Sequence, residues 1–220
     1  MKLNEITYAI LELMRGGGIV DDERFDIRLI EAFVHSKRAE YVQQLSDSGK
    51  LIPEHFYQYT AISNKELVSN PTDGEKTYKL TGIPEIVFSR HGAMISEIVN
   101  NSPAYFSYAK NGLPFKYMTP HAFKYSGNGR FNAGMIFATY TEGFILLKSK
   151  GNLLETMQSF LVKAVLENPT DEESFDSDLD EYPITVQAFE YIKNTVLGID
   201  AKVFVSARKD ITNDSSGEII

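Results

Sequence analysis

The sequence predicts an α+β fold. An N-terminal helical hairpin and a C-terminal helix should pack together, while the middle of the chain forms an antiparallel β meander, sandwich-like, with a long aromatic loop. Three observations carry this expectation. Apolar residues recur at helical spacing over residues 4–45 and again over 185–197. They alternate with period two between 135 and 166. Residues 101–133 mix prolines, glycines and aromatics with no period at all.

The first helix is expected over residues 4–14, where Ile6, Ile10, Leu13 and Met14 share a face and Asn4 is placed to cap the start. Gly16, Gly17 and Gly18 end it. The second should run from Asp22 to Leu45 on the stripe Phe25, Leu29, Ile30, Phe33, Val34, Tyr41, Val42 and Leu45, with Ser46-Asp47-Ser48-Gly49 as its stop. Asp21, Asp22, Glu23 and Asp26 crowd its start, where the helix dipole favours negative charge. The third spans Thr185 to Leu197, with Val186, Phe189, Ile192 and Val196 on one side and Gly198 just beyond the end.

Strands are expected from Leu51 to Leu166. Met135–Tyr140 and Phe144–Lys148 flank the turn Thr141-Glu142-Gly143 as a hairpin. Gln158–Leu166 follows as a third strand of the meander, with Phe160, Val162 and Ala164 on one face. The loop 101–133 lies inside this region, and a loop of that length is usually an interaction element. The chain therefore divides into a helical hairpin (1–50), a β region (51–168), an acidic loop (169–183), a helix (184–207) and an extended tail (208–220).

Composition excludes several chemistries. With no cysteine there is no disulfide, thiolate metal site or cysteine nucleophile, and a reducing compartment fits. The opening residues lack the apolar core of a signal peptide, and no apolar run approaches the ~20 residues that span a bilayer, so no membrane association is expected. The net charge of −8 is unevenly spread. Residues 171–181 hold Asp171, Glu172, Glu173, Asp176, Asp178, Asp180 and Glu181 and no basic residue, whereas 76–150 hold nine Lys or Arg against three Glu. Such asymmetry speaks of partners and steering.

The motifs with catalytic or metal potential read as ordinary structure. Asp176-x-Asp178-x-Asp180 begins like a calcium loop, but Glu181 stands where the glycine belongs and Gln187 where the last glutamate belongs. The histidines, His35, His55, His91 and His121, have no ligand spacing, and His35 with Glu31 is a helix-surface pair. Gly127-Asn128-Gly129 and Gly16–Gly18 are turns lacking a nucleotide-binding context. Ser89-Arg90-His91 puts a serine near a histidine, though neighbours in sequence seldom form a triad. No catalytic, metal or cofactor-binding residue is assigned. The pairs Lys116-Tyr117, Lys124-Tyr125 and Arg130-Phe131 alternate cation and aromatic, as single-stranded nucleic acid binders do; the competing reading is an exposed strand face.

Ile6-Thr7-Tyr8-Ala9-Ile10, Asp21-Asp22-Glu23, Ile27, Leu29-Ile30 and Lys37-Arg38-Ala39-Glu40-Tyr41 resemble the start of structural proteins of tailed phages of Bacteroidetes hosts, the crAss-like phages among them. Val165-Leu166-Glu167-Asn168-Pro169, Tyr182-Pro183-Ile184, and Asp210 with Asn213-Asp214 are similar to later elements of the same pattern, in the same order. The resemblance implies a neck or tail ring component, a head-to-tail adaptor stacked below the portal and continuing the DNA channel. It implies a ring homo-oligomer, twelve-fold as is usual there, partnered by the portal or another ring or tail protein, with double-stranded DNA passing through unbound. It carries over no catalytic residue and no cofactor. On this reading the subunit interface uses Asp171, Glu172, Glu173, Asp176, Asp178 and Asp180, with Lys116, Lys124, Arg130 and the terminal Ile219 and Ile220. The alternatives are a nucleic-acid-binding accessory protein using the basic-aromatic centre, and a hydrolase or transferase built around His91 or His121.

Overall fold

The computed structural model describes residues 1–14, 26–69, 75–101, 115–126, 134–150 and 152–198. Its α+β architecture matches the expectation: N-terminal helices, a C-terminal helix and antiparallel sheets. Helix α1 spans Leu3–Met14 and α2 Ile27–Asp47. Asp26 caps α2, its carboxylate accepting the Arg28 N–H at 3.0 Å. Gly49, with φ of 73°, takes the left-handed conformation beyond its end. Asn4 does not cap α1, because the helix has already begun at Leu3. Glu5 serves instead, accepting the Lys2 N–H at 2.9 Å. Phe25 lies outside the described residues.

Two sheets face one another. Strands β1 (Gln58–Ile62), β10 (Phe160–Ala164) and β6 (Ile95–Asn100) form an antiparallel three-stranded sheet in the order β1-β10-β6. The second sheet has the order β2-β3-β9-β8-β7 and is built from Lys65–Ser69, Glu75–Leu80, Phe144–Lys150, Ile136–Thr141 and Phe115–Tyr117 respectively. All its pairings are antiparallel except β7 with β8. Inward side chains of both sheets, among them Ile62, Ile98, Phe160 and Val162 from one and Leu80, Ile136, Ala138, Ile145 and Leu147 from the other, make one core. A small hairpin, β4 (Phe88–Ser89) with β5 (Gly92–Ala93), stands apart.

The expected meander is corrected in its third strand. β8 and β9 do form a hairpin, closed by Glu142 and Gly143, both at positive φ (49° and 82°), as a two-residue turn matching strand twist requires. Strand β10 crosses to the other sheet and pairs with β1 and β6. Its alternation is the expected one: Phe160, Val162 and Ala164 are buried. Alternation fixes a strand's faces and says nothing about which neighbour it pairs with. The expected loop 101–133 is also corrected where it is described: it contains β7 and a short helix α3, Pro120–Lys124, capped by the Thr119 hydroxyl.

The helices pack into their own core of Leu3, Ile6, Ile10, Leu11, Ile30, Val34, Tyr182, Ile192 and Val196, the last two from α4 (Val186–Leu197). Thr185 caps α4 by accepting the Ala188 N–H at 3.3 Å. A third cluster joins helices to strands at a seam: Val42 and Ala188 meet Phe56, Val87, Met94 and Val165.

Candidate interaction site

The acidic loop is ordered by its own carboxylates. A 3₁₀ turn at Pro169–Asp171 opens it, with Asn168 accepting from Thr170 N–H and donating to the Asp171 carboxylate at 2.7 Å. Asp176 Oδ1 accepts the backbone N–H groups of Asp178 (2.9 Å) and Leu179 (3.3 Å), and Asp180 Oδ2 accepts that of Asp176 at 2.8 Å. Phe175 packs on the helical core. The loop is tied to the start of α1: Lys2 Nζ donates to the Asp178 carbonyl at 2.7 Å, Asn4 donates to the Asp178 carboxylate, and Tyr182 N–H donates to the Met1 carbonyl at 2.9 Å. Every carboxylate contact here is with a neutral donor. Asp171, Glu173, Asp176, Asp178, Asp180 and Glu181 are exposed and Glu172 is half-buried, and among the described residues none of the seven is in an ion pair. Leu179, at the crest between Asp178 and Asp180, is 73% exposed.

The basic residues lie on a different surface. In the five-stranded sheet Tyr78, Leu80, Ile145, Leu147, Ile136 and Ala138 point into the sandwich, with Phe115 and Tyr117 packed against them. Lys79, Lys148 and Lys116 therefore stand on the outer face. The register confirms the row, with Lys148 opposite Phe137 and Phe137 opposite Lys116. Helix α3 lies over β8 on this side. Lys148 closes its C-terminus, donating to the Phe123 carbonyl at 3.1 Å with the Phe123 ring 4.8 Å away. Lys79 stacks over Phe144 at 4.2 Å. Lys116 and Lys124 are exposed, as is Tyr125, which stacks on His121 at 5.6 Å. Arg130, Ile219 and Ile220 lie outside the described residues.

One group at the seam escaped the sequence reading. Arg38 is fully buried, on the line of Ile30, Val34 and Val42. Its Nε donates to the Pro183 carbonyl (2.7 Å), Nη1 to Leu166 (2.8 Å) and Nη2 to Phe56 (3.1 Å), and the Phe56 and Tyr182 rings flank it at 5.6 and 5.7 Å. No carboxylate is paired with it among the described residues. Burial pulls its pKa down and pushes the Tyr182 phenol up, the latter partly offset by Arg38. His35 shares a hydrogen bond of 2.8 Å with the Tyr182 hydroxyl; burial, then the Arg38 charge, lowers its pKa to about 4. A cleft of about 470 Å³ opens beside it, lined by Glu40, Glu85, Glu167 and Asp171 among others. Glu167 there is pushed up by burial and by Glu85.

The Ser89 hydroxyl makes no hydrogen bond to the His91 ring. The Ser89 hydroxyl donates to the Gly92 carbonyl and accepts the His91 backbone N–H, both at 3.2 Å, while the His91 ring accepts from Arg90 Nε at 3.1 Å. Among the described residues no three His, Asp or Glu form a group able to hold a metal ion, and no helix is long and apolar enough to cross a membrane. What the molecule presents is a pair of oppositely charged surfaces, a geometry suited to association. A search among curated proteins finds no match. The family of crAss-like phage proteins described as phage tail ring protein 2 matches residues 5–219, nearly the whole chain, and the chain belongs to that family.

Proposed function

We propose that this ring protein is a structural, non-enzymatic subunit of the phage neck or tail, forming a closed ring that links the portal to the tail and continues the DNA channel. The match to the tail ring family over residues 5–219 carries the reading. The ring is taken as twelve-fold, with the portal or another ring or tail protein above or below it. A closed ring needs two unlike faces on each subunit. The acidic loop (Asp171, Glu172, Glu173, Asp176, Asp178, Asp180) and the cationic Lys116 and Lys124 supply faces of opposite sign, with Arg130, Ile219 and Ile220 in the same assembly role. DNA must slide through such a bore, and lysine or arginine contacts to phosphate are strong and salt-sensitive, so the basic surface is assigned away from the lumen.

The test is the mass of the purified protein, with and without portal, by native mass spectrometry, together with end-on views in negative stain. A discrete oligomer with a central hole is expected, and a strict monomer under all these conditions would refute the reading. Exposed Tyr125 beside Lys124 also suits base stacking. Gel-shift binding of single-stranded DNA by the isolated subunit would favour the accessory-protein alternative.

A further inference from the structure

We propose that the outer basic-aromatic patch of the five-stranded sheet, made by Lys116, His121, Lys124 and Tyr125, is the seat for the Asp178-Leu179-Asp180 crest of a second copy of this chain. This rests on the ring reading above and names the two surfaces that meet.

Residues 115–126 contain no acidic side chain, so the patch carries lysine charge with nothing of its own to neutralise it. Lys116 and Lys124 are exposed and, among the described residues, without an ion pair. The crest is the complementary shape in charge and polarity. Leu179 is 73% exposed between two aspartates, and Tyr125 is 70% exposed next to Lys124. An apolar knob flanked by acids thus matches an aromatic ring with a cation beside it, a pairing that buries carbon at the centre and leaves charge at the rim.

The two surfaces do not pair within a subunit as folded. The crest is fastened to the start of α1 beside the helical core, the patch lies outside the sandwich, and no hydrogen bond or ion pair joins them among the described residues. Unlike faces that do not meet in one copy join successive copies head to tail. Lysines alone would serve DNA equally well. The second copy is favoured because the crest is already held by the Asp176 and Asp180 bonds, so little ordering entropy is lost on docking.

The chain has no cysteine, so introduced thiols report this contact alone. Lys124→Cys is combined in one chain with Asp178→Cys, Leu179→Cys or Asp180→Cys in turn, and the assembled ring is oxidised. The expected result is a ladder of disulfide-linked species beyond the dimer, while each single-cysteine variant stops at the dimer. An intact ring with no ladder from any of the three pairs overturns the docking and leaves the ring reading standing. A wild-type chain that never assembles removes both. A charge swap gives a second readout: Lys124→Glu and Asp178→Lys each weaken association at least about tenfold, and together restore it. Loss of DNA affinity in Lys124→Glu with an unchanged ring would overturn the proposal in favour of nucleic acid.

Discussion

Replacing Arg38 should be the most damaging single change at the seam, and the choice of replacement separates two causes. Arg38→Met keeps length and apolar contact but takes the donor away from the carbonyls of Leu166, Pro183 and Phe56. Hydrogen bonds from a charged donor contribute about 1.5–3 kcal/mol each. Against that loss, the guanidinium no longer has to be stripped of water, which returns several kcal/mol. The balance is a loss of about 3 kcal/mol, or a melting temperature lower by about 6–12 °C for a chain of this size. Arg38→Lys keeps the charge but offers one point donor where a planar fork now spans carbonyls on separate segments, so it should lose about 2 kcal/mol or more. Urea unfolding at one fixed protomer concentration reads both values, because association adds to apparent stability. A lysine variant as stable as the parent would refute the fork geometry as the cause, and a methionine variant as stable would show that desolvation of the guanidinium cancels its hydrogen bonds, refuting Arg38 as a net source of stability.

His35 binds a proton near pH 6.5 when unfolded but only near 4 when folded, so stability should fall as pH drops through that window. His35→Gln should flatten this part of a stability–pH curve, read as the urea midpoint across that window. Glu167 has the opposite sign, its folded pKa being raised. The unfavourable charge it carries grows as pH rises above 4.5, so Glu167→Gln should raise the urea midpoint at neutral pH and have no effect well below 4.5. At the β8–β9 turn Glu142 sits at φ of 49°, a left-handed conformation that asparagine tolerates better than glutamate because its short amide can hydrogen-bond the local backbone, so Glu142→Asn should stabilise by about 0.5–1 kcal/mol in thermal melts.

Local signals were legible in the sequence and distant ones were not. The helices followed from apolar spacing, and the β8–β9 hairpin from Thr141-Glu142-Gly143, because both are set by residues a few positions apart. The destination of β10 was not legible: Phe160 pairs with Ile62 and Asn100, far away along the chain, and alternation is the same whichever sheet receives it. β7 is three residues long and too short to show a period. The burial of Arg38 was not legible because a stripe drawn only from apolar residues skips a cation, although its place four residues after Val34 and four before Val42 was the available signal. The separation of charge was plain in the sequence. The anchoring of the acidic loop to Lys2 and Asn4, which keeps it away from the lysines, needed the fold.

The loop's outline is drawn by the same oxygens that give it its field. An amide in place of Asp176 or Asp180 keeps an oxygen able to receive the backbone hydrogens while discarding the negative charge, whereas a lysine discards both. On the docking proposed above, amide substitutions would therefore lower the attraction between neighbours one step at a time with the contour intact, leaving the place where they touch unchanged.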